Sequence, residues 1–178
     1  MLRPWLGIIL AVALTAGPAV AGETQCLWDK LPSQKRTVFL AQARVSPPQA
    51  VGGALFSDPE LGAAVLACGI KTADAPAARG ALTGYAFDAA IVEWMAAHEK
   101  IDADKLDAAW SGLPESGRSA LVKLAKGGAG QPDPETFKTF AAGVGAGDRT
   151  DLMSSDFGQY LFMYMMGRAL RAANEPNF

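Results

Sequence analysis

The sequence predicts an all-α fold, a compact helical bundle built from two tandem pseudo-repeats of about four helices each. Proline directly follows a serine or an aspartate at several points, which is typical of helix starts. Alternating runs of β-branched residues, which would indicate strands, do not occur. A motif of tryptophan, leucine, proline and arginine occurs twice, 82 residues apart. Together these features favour helices packed in two similar halves.

The first 21 residues have the features of a signal peptide. Arg3 places a positive charge near the start, and Leu6 to Leu14 form a short apolar core. Ala19 and Ala21 give the small-residue pattern that signal peptidase recognises, so we expect cleavage after Ala21. An uncleaved anchor is the alternative, but this apolar core is much shorter than the roughly 20 residues that a membrane span needs. We therefore predict an exported protein, periplasmic or extracellular, with one mature domain over residues 22–178.

The composition of the mature chain limits its partners. Without the signal peptide the chain has 15 basic and 18 acidic residues, a net charge of −3. No basic cluster occurs, so a nucleic-acid partner is not expected. No segment after the signal peptide is long and apolar enough to span a membrane.

The chain has two cysteines, Cys26 and Cys68. Two cysteines in an exported chain most simply form one structural disulfide. A redox-active pair would need a C-x-x-C motif or a setting that stabilises a thiolate, and the sequence shows neither. We therefore predict a Cys26–Cys68 disulfide.

Helix starts are marked by a capping residue followed by proline. Three such starts occur: Ser46-Pro47, Asp58-Pro59-Glu60 and Asp133-Pro134-Glu135. With the apolar periodicity between them, these starts predict helices over residues 24–31, 33–44, 47–56, 59–68, 76–99, 103–112, 115–126, 134–143 and 154–173.

The repeated motif defines the two predicted halves, residues 24–104 and 105–174. Its matched positions are Trp28, Leu31, Pro32 and Arg36 in the first copy and Trp110, Leu113, Pro114 and Arg118 in the second. Further along, Asp58 matches Asp133 at an offset of 75, and Gly84 matches Gly158 at an offset of 74. One copy could not bury its apolar faces alone, so we expect the two to pack around a pseudo-twofold axis.

The repeat also bears on the disulfide. Cys26 matches Ala108, and Cys68 matches Gly143. Small residues at both positions predict that the same two helices approach closely in each half.

The two longest predicted helices carry most of the apolar residues. Helix 154–173 is apolar nearly all round, which is typical of a buried helix. Helix 76–99 has an apolar stripe at core spacing: Leu82, Tyr85, Ala89, Val92 and Ala96. We expect these two helices to lie face to face at the centre of the bundle.

His98 is the only histidine, with Glu93 and Asp102 nearby in sequence. These groups could hold a divalent ion or act as acid and base. The alternative is a solvated helix end, where His98 and Lys100 complement the negative end of the helix dipole. Asp102 is then the cap of the next helix. We expect the structural alternative and no cofactor.

Other motifs are explained better by structure than by chemistry. Five methionines together with His98 could bind Cu(I), although methionine also fills gaps between packed helices: Met95, Met153, Met163, Met165 and Met166. The aspartates at 102, 104 and 107 lack the glycine and the fifth-position oxygen ligand of a calcium loop. Two glycine-rich segments, residues 127–130 and 143–147, look like phosphate-binding loops. Both follow predicted helices rather than strands, and glycine at that place ends a helix.

Arg36 and Arg118 occupy matched positions eight residues after their tryptophans. Each could stack on the indole or bond carbonyls that close the preceding helix. The functional alternative is that the pair binds an anion across the pseudo-twofold axis. Matched positions in a duplicated fold more often serve the fold, which is the interpretation we adopt.

These observations lead to three functional hypotheses. The first is a non-enzymatic binding or interaction module of the cell envelope, whose partner is an unknown protein or a small apolar ligand. Its candidate surface is on the last helix, where aromatic residues and methionine are typical of contacts: Tyr160, Met163, Tyr164 and Met166. The second is a metal-binding protein or hydrolase centred on His98 with nearby carboxylates. The third is a homodimer joined through the last helix.

Overall fold

The computed structural model describes residues 20–53, 56–129 and 133–177, which form nine α-helices and no strand. The prediction of an all-α fold is therefore confirmed. In chain order the helices are α1 (Val20–Lys30), α2 (Ser33–Ala43), α3 (Pro47–Gly52), α4 (Asp58–Ala67), α5 (Ala75–His98), α6 (Ala103–Ser111), α7 (Glu115–Ala125), α8 (Pro134–Gly143) and α9 (Asp156–Asn174). Short 3-10 helices precede α5 and follow α9.

The helix starts follow the sequence, with one shift. Asp133 caps α8, and its carboxylate accepts a hydrogen bond from the backbone N–H of Glu135 at 3.2 Å. At α4 the cap is Ser57 rather than Asp58, because Ser57 and Glu60 form a reciprocal capping box. Ser46 holds the cap position of α3, but its hydroxyl makes no capping hydrogen bond.

Two glycines end helices as expected. Gly127 follows α7 with a φ of +81°, and Gly145 follows α8 with a φ of +80°. This left-handed conformation is easily reached by glycine and closes a helix C-terminus. The two glycine-rich segments are therefore helix ends, as far as the structure describes them.

α5 and α9 make the most extensive contact between any two described helices. This confirms that the two longest helices lie face to face. The buried residues of α9 lie on more than one side, since Tyr160 and Ala169 are on opposite sides of the helix. The helix is thus packed on several faces, as its apolar composition predicted.

The apolar stripe predicted on α5 is confirmed in part, because four of its five residues contact the core. Only Leu82 of its five residues is buried; Tyr85, Ala89 and Val92 are half-buried, and Ala96 is exposed. The buried positions are Ala78, Ala81, Leu82, Gly84, Ala86, Asp88, Ala90, Ile91 and Met95. Most of these are small, so neighbouring helices can approach α5 closely on several sides and no single stripe of large residues is needed.

The core has two clusters. The first draws on α1 to α4 and the first part of α5, and it includes Leu27, Phe39 and Leu82. The second draws on the end of α5 and on α6 to α9. α5 is therefore shared by both clusters, and each cluster otherwise belongs to one half of the chain.

Cys26 and Cys68 lie at disulfide distance, with their Cα atoms 6.0 Å apart. The pair joins α1 to the end of α4. The matched helices of the second half, α6 and α8, also touch: a Cβ at Gly143 would lie 2.9 Å from the Cβ of Ala109. Both halves thus show the predicted close approach, although the duplication itself stays a prediction.

The predicted signal peptide lies almost entirely outside the described residues, since α1 begins at Val20. None of the described helices combines the length and the apolar character needed to cross a membrane.

Candidate functional site

A cleft of about 550 Å³ lies where five helices of the two halves meet. Residues from α1, α2, α5, α6 and α9 line it. Its size falls within the range of roughly 300–1,000 Å³ that is typical of small-molecule sites. Trp28, Leu40 and Val92 give it apolar surface, and charged residues of α5, α6 and α9 add polar surface.

Asp88 of α5 is the buried acid of this cleft, with 7% of its surface exposed. Its Oδ2 lies 3.0 Å from Nη1 of Arg171 and 3.8 Å from Nη1 of Arg168. Its Oδ1 is buried and accepts no hydrogen bond from the described residues. This oxygen lies against α9, because a Cβ at Gly167 would be only 2.5 Å from it.

Burial raises the pKa of the Asp88 carboxyl to about 7, although the two guanidinium groups favour its charged form. The carboxylate of Asp107 adds a smaller effect in the same direction as burial. Near neutral pH the site therefore contains both the neutral and the ionised form of Asp88.

Arg171 is the more buried of the two arginines, with 14% of its side chain exposed. Its Nε donates a hydrogen bond to Glu175 at 2.9 Å, and Glu175 also accepts one from the Thr24 hydroxyl at 2.8 Å. The guanidinium lies over the ring of Tyr85, 5.2 Å from its centroid. Arg171 thus links α9 to α1 and α5.

Two tyrosines form similar hydrogen bonds between helices, one from α5 to α1 and the other from α9 to α6. The Tyr85 hydroxyl donates to Oε1 of Gln25 at 2.5 Å, and the Tyr164 hydroxyl donates to Oδ1 of Asp107 at 2.5 Å. Gln25 and Asp107 each lie three residues before the tryptophan of the repeated motif. An arginine lies over each ring, since Arg168 is 5.9 Å from the centroid of Tyr164. Burial raises the pKa of both phenols, so both hydroxyls remain donors at neutral pH.

Arg168 is the more accessible arginine, with 24% of its side chain exposed. Besides Asp88 it contacts Asp107, at 2.9 Å from Nη1 to Oδ1. The side chain of Asp107 is half exposed. Water therefore screens this ion pair, which makes it weaker than the contact of Arg171 with Asp88.

The groups predicted around His98 have structural partners. The carboxylate of Glu93 pairs with Nε of Arg44 at 2.7 Å, and Nε2 of His98 is hydrogen-bonded to the Arg44 carbonyl at 2.7 Å. The imidazole also stacks on Trp94, with the ring centroids 4.8 Å apart. Asp102 caps α6 by accepting from the backbone N–H of Lys105 at 2.9 Å. In the described part of the chain, no three His, Cys, Asp or Glu residues are grouped to hold a metal ion.

The four residues predicted to form a contact surface on α9 differ in how deeply they are buried. Tyr160 and Tyr164 are 7% and 1% exposed, because both rings pack into the second core cluster. Met163 and Met166 are half-buried against the same cluster. Only part of this set can contact a partner, and Tyr164 does so only through the cleft.

The methionines considered for Cu(I) also differ in burial. Met95 and Met165 are fully buried in the second core cluster, whereas Met153 is 83% exposed. The buried pair fills space between packed helices, as methionine commonly does.

The repeated arginines bind close to the helices that precede them. Nη1 of Arg118 donates to the Ser111 carbonyl at 2.8 Å, which closes the end of α6. Nη1 of Arg36 donates to the Asp29 carboxylate at 3.2 Å, near the end of α1. Each arginine bonds the residue seven positions before it, in agreement with the structural interpretation. Their tryptophans, Trp28 and Trp110, are buried.

The central charged residues of the cleft were not among the site residues predicted from the sequence. Asp88 is the only charged residue between Arg79 and Glu93, and Arg168 and Arg171 are the only ones between Asp156 and Glu175. Isolated charges in apolar helices are a usable signal, because a charge among buried positions needs a partner.

Comparison with protein-family models gives no match for this chain, and comparisons with curated proteins and with solved structures give no significant match.

Proposed function

We propose that this chain is a non-enzymatic binding module of the cell envelope or the extracellular space, and that it takes up a small ligand in the central cleft. The observation that carries this proposal is the cleft itself: at the junction of the two halves, apolar surface from α1, α2 and α5 lies beside convergent polar and charged groups of α5, α6 and α9. Such a combination is typical of small-molecule sites.

The charge network supports binding. Asp88 and Arg171 form an ion pair between α5 and α9, and Arg171 also pairs with Glu175, four residues further along the chain. Groups that several partners hold in this way are positioned to orient a ligand. Export to an oxidising compartment is consistent with the position of Cys26 beside Cys68.

A substitution that fills the cleft tests this proposal. Ala89 lines the cleft and is half-buried, so Ala89→Trp places an indole in the space that a ligand would occupy. A fragment library is screened against the wild-type protein by saturation-transfer NMR. We expect fragments that bind the wild type to lose their signal with Ala89→Trp.

The matched control is Ala96→Trp, because Ala96 is exposed on the same helix and does not line the cleft. This variant should retain the fragments. Fragments that bind both variants equally, or a library without binders, would contradict the proposal.

The alternative function, a metal-binding protein or hydrolase centred on His98, has less support. Arg44 engages both Glu93 and His98, and Asp102 caps a helix. Zinc or copper that broadens the His98 ring resonances at equimolar concentration would favour this alternative over the cleft.

A further inference from the structure

We propose that the ligand of the cleft carries a carboxylate or a similar anionic group on an apolar body, and that this group pairs with Arg168 and Arg171 in competition with Asp88. This inference rests on the proposed function, because it specifies which class of ligand the cleft would take.

The two arginines are placed to act together. Arg168 and Arg171 are three residues apart on α9, so they lie on the same face of the helix, and both line the cleft. Both reach Asp88 through Nη1. No hydrogen bond joins Nη2 of either guanidinium to a residue that the structure describes. Paired guanidinium N–H groups match the geometry of a carboxylate.

Asp88 and Asp107 now occupy the place of that anion. The Asp107 contact is screened by water, so a ligand can displace it at low cost. The contact with Asp88 loses its charge–charge attraction when Asp88 takes up a proton. The raised pKa of Asp88 brings this uptake close to neutral pH.

Anion binding should therefore be linked to proton uptake by Asp88. The neutral form leaves the guanidinium groups less compensated and removes repulsion between Asp88 and the ligand. The charged or titratable groups that face Asp88 come from α5, α6 and α9: Tyr85, Asp107, Tyr164, Arg168 and Arg171. Both phenols have raised pKa values, and guanidinium groups stay charged in proteins, so we assign the change of charge near neutral pH to Asp88.

The apolar lining of the cleft indicates what the uncharged part of the ligand would be. Trp28, Leu40 and Val92 form its apolar surface. A small inorganic anion would leave this surface in contact with water, whereas an aromatic or aliphatic carboxylate would cover it.

Three probes that share a phenyl ring and differ in charge test the charge preference: benzoate, benzamide and benzylamine. Each is titrated into the ¹⁵N-labelled full mature protein and followed by NMR at about pH 6 and about pH 8, on either side of the Asp88 transition. We expect benzoate to shift cleft resonances at lower concentration than the other two. We also expect benzoate to bind up to about tenfold more tightly at the lower pH, which is the limit if only the protonated form of a group with a pKa of about 7 binds it.

Two variants and a control connect the preference to these residues. Arg168→Gln should weaken benzoate binding and leave benzamide binding unchanged. Asp88→Asn should bind benzoate at the higher pH as tightly as the wild type does at the lower pH. This gain of affinity cannot result from misfolding. Arg79→Gln, which removes an exposed arginine outside the cleft, should behave like the wild type.

The outcomes separate the two proposals. Benzamide or benzylamine binding as tightly as benzoate would overturn the anion preference and leave the cleft as a binding site. Benzoate binding that Arg168→Gln does not weaken would overturn the role of the arginine pair. No shift of cleft resonances with any of the three probes would contradict both proposals.

Discussion

Gly84 of α5 and Gly167 of α9 meet backbone to backbone at the centre of the molecule. A Cβ at Gly84 would lie 2.5 Å from the carbonyl oxygen of Gly167, and one at Gly167 would lie 2.9 Å from that of Gly84. This approach lets Asp88 reach Arg171 across the helix pair. The crossing therefore positions the charged residues of the cleft.

Gly84→Ala should lower the free energy of unfolding by about 2 kcal/mol, because the new methyl group forces two packed helices apart. The adjacent backbone carbonyl cannot move away as a flexible side chain could. Chemical denaturation monitored by circular dichroism measures this loss. An unchanged midpoint would show that α5 and α9 are farther apart than the structure places them.

Gly62 provides the matched control for this substitution. It lies in α4, and a Cβ there would meet nothing within 4 Å. Gly62→Ala should raise the free energy of unfolding by about 0.5–1 kcal/mol, since alanine is the better helix former. The opposite signs of the two effects separate packing from helix propensity.

The stability of the protein should decrease as pH rises from about 4 to about 7 through the effect of Asp88. The pKa of Asp88 is about 7 in the folded chain and 3.8 for an ordinary aspartate. The folded chain therefore binds more protons in this interval, and the stabilisation present at low pH is lost as pH rises. For this one group the loss is at most on the order of 4 kcal/mol.

Asp88→Asn isolates this contribution, because asparagine keeps the shape but does not titrate. Urea denaturation of the variant and the wild type across the interval should show a steeper decline for the wild type. Parallel pH profiles would mean that Asp88 does not titrate near neutral pH.

Loss of the Cys26–Cys68 bond should lower the free energy of unfolding by about 4 kcal/mol. The cysteines are 42 residues apart in sequence, and the estimate follows from the chain entropy that a loop of this length removes from the unfolded state. The variant Cys26→Ala/Cys68→Ala, compared with the oxidised wild type in guanidinium chloride, measures it. Reductant should reduce the stability of the wild type and leave the variant unaffected; equal stability of both oxidised proteins would exclude the disulfide.

The hydroxyl groups of Tyr85 and Tyr164 should contribute unequally to the stability of the fold. Tyr85→Phe removes a hydrogen bond to the neutral amide of Gln25, and Tyr164→Phe removes one to the carboxylate of Asp107. We expect the free energy of unfolding to fall by about 1 kcal/mol in Tyr85→Phe and by about 2 kcal/mol in Tyr164→Phe, because a hydrogen bond to a charged acceptor is stronger. Thermal denaturation of both variants at neutral pH gives the comparison, and a larger loss for Tyr85→Phe would contradict this order.

Much of the fold could be predicted because its determinants are local. Asp133 before Pro134 specifies the start of α8 through neighbouring residues alone. Gly127 and Gly145 end helices for the same reason. The pairing of α5 with α9 was predictable from composition, because a long helix without a polar face needs a partner.

The cleft could not be predicted, because it depends on which faces of α5 and α9 meet. The stripe that includes Tyr85 and Ala96 was chosen by the size of apolar residues. Close packing at Gly84 instead turns α5 so that Asp88 faces α9. No local pattern encodes that rotation, and the contact between Asp88 and Arg171 spans 83 residues.

The most direct test of this account is a double-mutant cycle on Asp88 and Arg171, measured as free energies of unfolding at about pH 8, where Asp88 is ionised. The changes are Asp88→Asn, Arg171→Met and the two combined. We predict a coupling energy of at least about 1 kcal/mol, because each single change leaves a buried group without its partner and the double change removes both. Additive effects, within about 0.4 kcal/mol, would show that the two side chains do not meet and would contradict the crossing of α5 and α9 on which the cleft depends.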